Sequence, residues 1–155
     1  MALKSNFNEG DSMKDLQRQT DSLYERILQS FIRALEEFIV NAREQMQDHA
    51  MGTYKDVTTN LRNSIGGFIF YNGELVFEKN NIVTNKSIVE EFINPKGFQL
   101  IGIAGMNYAS HVESKGYNVI SYQADICVMD LAVYLETLEV IEQGSASRME
   151  ETFIP

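Results

Sequence analysis

Apolar residues in the first fifty positions return every three or four residues: Leu23, Ile27, Phe31, Ala34 or Leu35, Phe38, Ala42 and Met46. That repeat predicts a helix from about Asp21 to Ala50, about 45 Å long at 1.5 Å per residue and ended by Gly52. Ser12-Met13-Lys14-Asp15 and Ser22-Leu23-Tyr24-Glu25 both have the form of capping boxes, and the first would start the helix at Met13. Leu28, Ile32 and Ile39 lie beside the main row and widen the apolar stripe beyond what a small sheet covers. They are therefore candidate subunit contacts, unless the carboxy-terminal helix of the same chain covers them.

The pattern then changes period. Thr58 or Thr59 can cap a short helix carrying Leu61 and Ile65, stopped by Gly66-Gly67. Phe68-Ile69-Phe70-Tyr71, Asn72-Gly73 and Glu74-Leu75-Val76-Phe77-Glu78 read as two strands around a type I′ turn. Residues 79–97 form a long connection, with a capping box at Ser87-Ile88-Val89-Glu90 and a break at Asn94-Pro95. Long connections are commonly functional, so this one reads as a projecting arm that orders on a partner, with Ile88 and Phe92 as contacts. The alternative is a helix tucked onto the chain's own sheet.

A third strand follows at Phe98 to Ala104, where Gly102 and Gly105 weaken it or let another backbone approach. Asn107 to Tyr117 reads as a two-turn helix with Tyr108 and Val112 on one face, and Tyr117 to Ile120 as a brief fourth strand. From Gln123 to about Gln143 a second long helix turns Cys127, Val128, Leu131, Leu135, Leu138 and Ile141 inward, and acidic side chains outward. The expected fold is α+β: an antiparallel sheet of about four strands packed against two long helices, with short helices in the connections. Residues 1–12 are expected to be flexible, 13–143 to form one domain, and 144–155 to form a flexible docking tail anchored by Phe153 and Ile154.

Charge changes the picture more than composition does. The chain has 155 residues and a formal charge of -9, and residues 117–155 hold one basic and seven acidic side chains. Affinity for nucleic acid comes chiefly from Lys and Arg, so this third is a poor grip for phosphates. It suits basic protein surfaces, or the wall of a channel that DNA passes without sticking; a solvated acidic helix face explains it equally. The start holds no apolar run of signal-peptide length, and no stretch of eighteen apolar residues occurs, so no membrane partner is expected.

Two blocks carry a resemblance. Thr58-Thr59-Asn60-Leu61-Arg62-Asn63-Ser64-Ile65 and Tyr108-Ala109-Ser110-His111-Val112-Glu113-Ser114-Lys115-Gly116 resemble the two signatures of a tail-component family of long-tailed phages, which includes relatives of the lambda minor tail protein Z. The family's wording places Gly before Asn-Leu-Arg and an aromatic or Gly-Thr ending after the Glu, where this chain has Thr59 and Ser114-Lys115. The motif positions are Asn60, Leu61, Arg62, Ser64, Ile65, Tyr108, Ala109, Val112, Glu113 and Gly116. What the resemblance implies is a structural virion protein at the head-tail junction, a neck or tail-completion protein in a six- or twelve-fold ring. Its partners would be the portal or connector and tail proteins, with DNA nearby in the channel. Such a protein is made in the host cytoplasm and ends in the virion. Arg62 and Glu113 would form an ion pair, within the chain or across a subunit boundary.

Chemistry is sparse. His49, His111 and Cys127 make no metal-ligand set of recognisable spacing, and no Gly-rich phosphate loop occurs. No catalytic residue, cofactor or metal is expected. A cytosolic regulatory or binding module that oligomerises through its long helix is the rival reading. A small hydrolase using Cys127 is a third, set against the inert thiol expected on the apolar face of a helix.

Overall fold

The computed structural model describes residues 9–45, 63–80, 89–104 and 120–150. Within them lie α1 (Glu9–Gln45), β1 (Ile65–Tyr71), β2 (Glu74–Lys79), β3 (Phe98–Ala104) and α2 (Ser121–Glu150). The three strands form an antiparallel sheet in the order β2-β1-β3. Helices pack on it, so the fold is α+β as the pattern predicts. The fourth expected strand and the helix at 107–117 lie outside the described residues, save Ile120, which is a bend ahead of α2.

Asn72 and Gly73 have φ of 50° and 84°, the pair of positive values that a type I′ turn requires. The turn is tied down from outside the hairpin. The Asn72 N–H donates to the Gly97 carbonyl at 3.0 Å, and the Gly97 N–H donates to Asn72 Oδ1 at 2.9 Å. Between Ile69 and Phe70 the β1–β2 register slips, leaving Val76 as the extra residue of a bulge.

Register divides the sheet into two faces. Ile65 pairs with Ala104, Gly67 with Gly102, Ile69 with Leu100 and Tyr71 with Phe98, and alternation puts all eight on one side. There they meet Phe31, Ala34, Leu35, Phe38, Ile39 and Ala42 of α1, with Cys127 of α2 closing the cluster. The paired glycines make a hollow into which α1 settles. A Cβ on Gly102 would lie 2.7 Å from the Phe38 ring, and one on Gly67 would collide with Leu35 Cδ1 and lie 2.8 Å from the Ile101 carbonyl oxygen. On the opposite face Phe68 and Phe70 pack with Val89, Ile93, Ile101 and Ile103.

Several expectations are corrected. The helix before the glycines ends earlier than expected, at Asn63, and Ile65, Gly66 and Gly67 belong to β1. At Gly66 the close neighbour is backbone, since a Cβ would lie 2.5 Å from the Asn80 carbonyl oxygen. Both capping-box sequences sit inside α1, which begins by Glu9, so residues 9–12 are helical. A cap-like sequence does not end a helix whose apolar spacing continues, here through Met13, Leu16 and Leu23. α2 likewise runs to Glu150 through Gly144-Ser145-Ala146-Ser147, where the flexible lead of a docking tail was expected. A helical Gly costs only about 1 kcal/mol relative to Ala, too little to terminate a long helix.

The arm expected at 79–97 is also corrected in its described part. Val89 is 2% exposed and packs on the sheet's second face. Gln99 of β3 holds the following turn, donating to the Phe92 carbonyl and accepting from the Asn94 N–H, both at 2.7 Å. Residues 89–97 are thus fixed to their own sheet. Among the described residues, no helix is long and apolar enough to cross a membrane.

Candidate functional site

The residues singled out by pattern and resemblance divide sharply. Asn60, Leu61, Arg62, Ile88, Tyr108, Ala109, Val112, Glu113, Gly116, Phe153 and Ile154 lie outside the described residues, as does the Arg62–Glu113 pair. Ser64 and Ile65 are fully buried at the start of β1, as core positions. Ile39 is 2% exposed within the chain's own core, so it has no surface to give a neighbour. Leu28 and Ile32 are partly buried against that same cluster. The carboxy-terminal helix and the sheet cover α1 at Ile39, whereas Leu28 and Ile32 keep part of their surface open. Phe92 is different: it is 63% exposed at the turn beside the sheet's second face.

A polar lock fixes α2 on α1. Arg33 Nε donates to Glu37 Oε1 at 3.0 Å, the Tyr134 hydroxyl donates to Glu37 Oε2, and the Arg33 guanidinium lies 4.3 Å from the centre of the Tyr134 ring. The Tyr134 hydrogen bond, with Arg33 adding to it, holds the Glu37 carboxyl below its ordinary range. The same bond pushes the Tyr134 hydroxyl up. Lys79 of β2 pairs with Glu36, tying the edge of the sheet to α1. These side chains are 39% exposed or more, apart from Tyr134, which is half-buried, so the lock sets the angle of the helices more than it stabilises them.

Two hollows flank the lock. A cleft of about 340 Å³ lies between α1, β3 and α2, lined by Phe31, Phe38, Leu100, Ile120 and Cys127 among others. Its walls are apolar apart from the thiol. Cys127 is 6% exposed and its Sγ lies 3.6 Å from the Ala34 carbonyl oxygen, to which it donates. Burial, with Asp130 and Glu37 nearby, pushes this thiol up to about 11. A group so placed is protonated at neutral pH and is a poor nucleophile. The second hollow, of about 570 Å³, is a groove where α1 and α2 separate, bordered by Glu25, Gln29, Arg33, Val133, Tyr134 and Leu138. Among the described residues, no cluster of three or more His, Cys, Asp or Glu side chains could hold a metal ion.

The most unusual feature is the outer side of α2. Its inner side carries Cys127, Leu131, Tyr134 and Leu135 into the core. Yet on the outer side Tyr122, Met129 and Val133 are 56%, 68% and 57% exposed. Val128, one residue past Cys127 at the border of the inner stripe, lines the cleft between α1, β3 and α2 while remaining 70% exposed. A helix apolar on both sides is normally covered on both sides. Tyr122, Ile126, Met129 and Val133 follow one another at intervals of four, three and four, the spacing of a helix-to-helix seam. That signal was in the sequence, hidden behind the stronger inner row.

α1 has a matching excess. From Gly10 to Ser22 every residue except Ser12 is exposed, including Met13 at 67% and Leu16 at 58%. Compared with protein-family models, curated proteins and solved structures, the chain matches none.

Proposed function

We propose that this chain is a structural virion protein of a tailed bacteriophage, forming a ring at the head-tail junction that joins the portal or connector to the tail. The blocks around Asn60-Leu61-Arg62 and Tyr108 to Gly116 support the place of action through their family resemblance. The observation that carries the mode of action is the two-sided apolar character of α2, whose outer Tyr122, Met129 and Val133 form a surface suited to another protein. An acidic carboxy-terminal third suits a ring whose wall must not hold passing DNA, because like charges repel over about a Debye length, roughly 8 Å at physiological salt. The protein works by shape and adhesion in this reading, after synthesis in the host cytoplasm. The buried Cys127, pushed up to about 11, weighs against the hydrolase alternative.

A cytosolic module that oligomerises through a helix shares the same surface, and the experiment must separate the two. Particles purified from cells that make the chain are analysed by mass spectrometry and electron microscopy, and the isolated chain by native mass spectrometry. The virion reading expects the chain in particles as a ring at the neck. Absence from particles, with only monomer or dimer in every assembly context, would establish the module instead.

A further inference from the structure

We infer that Asn72-Gly73 is a site of spontaneous conversion to aspartate and isoaspartate, held shut in the native fold by the hydrogen bonds between Asn72 and Gly97. Water is the co-reactant, and the conversion does not depend on the ring reading.

The chemistry begins in the sequence. Asn72 is the one asparagine of the chain that glycine follows. Glycine has no Cβ to crowd its own nitrogen and lets the backbone turn freely, so the Gly73 nitrogen has an unhindered approach to the Asn72 side-chain carbonyl carbon. In the reaction that nitrogen gives its proton to solvent and its electron pair to Cγ. The Cγ–Nδ2 bond breaks, and Nδ2 takes up a proton and leaves as ammonia. Water then adds to either carbonyl of the cyclic imide. Opening at one carbonyl gives aspartate; opening at the other gives isoaspartate, whose main chain runs through Cβ and Cγ and is one carbon longer. Nothing is oxidised or reduced.

The fold restrains both reacting groups. Asn72 is exposed to water, with φ 50° in a type I′ turn whose ψ at this position is about 30°. That ψ points the Gly73 nitrogen away from the Asn72 side chain, and ring closure needs the two on the same side. The Gly97 N–H donates to Asn72 Oδ1 at 2.9 Å and the Asn72 N–H donates to the Gly97 carbonyl at 3.0 Å, fixing side chain and backbone in the unreactive arrangement. Gly97 is held in turn. Gln99 donates to the Phe92 carbonyl and accepts from the Asn94 N–H, both at 2.7 Å, and Asn94 Oδ1 accepts from the Lys96 N–H at 3.2 Å. This brace runs along the surface from β3 to the hairpin tip, so it opens locally without global unfolding.

The two products differ in effect. Aspartate keeps an acceptor for the Gly97 N–H, whereas the longer main chain of isoaspartate breaks the two-residue turn that matches the twist of β1 and β2. Isoaspartate therefore releases Gly97 from the hairpin tip, beside the exposed Phe92.

The test incubates the full-length protein in neutral buffer, native and unfolded in guanidinium chloride, and follows the peptide containing Asn72 by mass spectrometry and by enzymatic methylation of isoaspartate. Each hydrogen bond shifts the opening equilibrium by a factor of roughly two to ten, so the native chain should convert about tenfold more slowly than the unfolded one, or slower still. Gln99→Ala removes two bonds of the brace without touching Asn72 or Gly73, and should raise the native rate about tenfold. Asn94→Ala, which removes the Lys96 bond, should raise it less and serves in place of Gln99→Ala should that protein not fold. Asn72→Gln should form no isoaspartate in this peptide in either state. Native conversion as fast as unfolded, or a folded brace variant that converts at the wild-type rate, would overturn the restraint. Absence of isoaspartate at Asn72 in the unfolded chain would overturn the site itself.

Discussion

The Gly67–Gly102 hollow makes a sharp test of how α1 is seated. Gly102 lies in β3 with ordinary strand φ, so Ala can adopt its backbone without strain. In an open site the change would stabilise by about 0.4–1 kcal/mol through the unfolded chain. Here the new Cβ would lie 2.7 Å and 2.9 Å from Cε1 and Cζ of Phe38. Phe38 is 4% exposed, and although it borders the apolar cleft, moving its ring off Gly102 gives up packing within the core. Overpacking of this kind costs about 1–3 kcal/mol. The steric cost exceeds the entropic gain, and Gly102→Ala should lose on the order of 1 to 2 kcal/mol.

Phe38→Leu removes the two ring atoms in question and alone costs roughly 1–2 kcal/mol for the lost packing. Combined, each change relieves the other, and the double variant should be more stable than the sum of the singles by about 1 kcal/mol or more. Urea unfolding at one fixed protein concentration, followed by circular dichroism, reads all four corners of the cycle. Additivity within about 0.3–0.5 kcal/mol, or a stabilised Gly102→Ala, would refute the proposed contact between the Phe38 ring and the glycine hollow.

Asn72→Ala loses the side-chain acceptor for the Gly97 N–H and puts Ala at φ 50°, and should lower the urea midpoint by about 1–3 kcal/mol equivalent; Asn72→Gly, which keeps the turn, should lose less. Cys127 should resist thiol reagents in the native protein and react at the rate of unfolding. Its raised value means that its stabilisation is complete below the unfolded thiol value near 9 and is lost as pH rises toward 11, by about 2–3 kcal/mol; Cys127→Ala should not show that extra alkaline loss in urea titrations at pH 8 and 11. Glu37 is shifted the other way. Its contribution is complete above the unfolded carboxyl value and disappears as pH falls through the lowered folded one, so wild type and Glu37→Gln should differ at pH 7, by under about 1 kcal/mol, and converge in acid.

Local rules carried the sheet. Asn72-Gly73 fixes the hairpin through two positive φ values, and the alternation of Phe98 to Ala104 gives β3 with its ends in place. Tertiary close approach was less legible. Gly66-Gly67 reads locally as a stop, but one glycine admits the Asn80 backbone and the other admits Leu35, neither of which a local window contains. The ends of both helices were misread because cap-like and Gly-Ser sequences signal an end only when the apolar spacing also stops. The inner face of α2 is legible through Cys127, Leu131 and Leu135, whereas the exposed Met129 and Val133 are hidden behind that stronger row. Of the candidate contacts, Ile39 serves the chain's own core and Leu28 and Ile32 are partly buried against it, while the exposed Met13, Leu16, Met129 and Val133 carry no signal that separates them from a core-facing row.

Why α2 should be left apolar on its outer side follows from the layering. The sheet's first face is filled by α1, and its second by Val89 and Ile93, so neither face is free to serve as a broad assembly surface. α2 is the outermost layer on the α1 side, held in place by its inner row and the Arg33–Glu37–Tyr134 lock. An apolar outer row there costs the folded chain nothing in core packing, yet exposes side chains worth about 1.5–3 kcal/mol each on full burial. Replacing Met129 and Val133 together by Lys should therefore leave the urea midpoint of the isolated chain within about 0.5 kcal/mol per substitution while abolishing its self-association in sedimentation velocity. Destabilisation of the isolated chain to the same degree as the loss of association would mean that this row belongs to the fold, and α2 would then have no surface to offer.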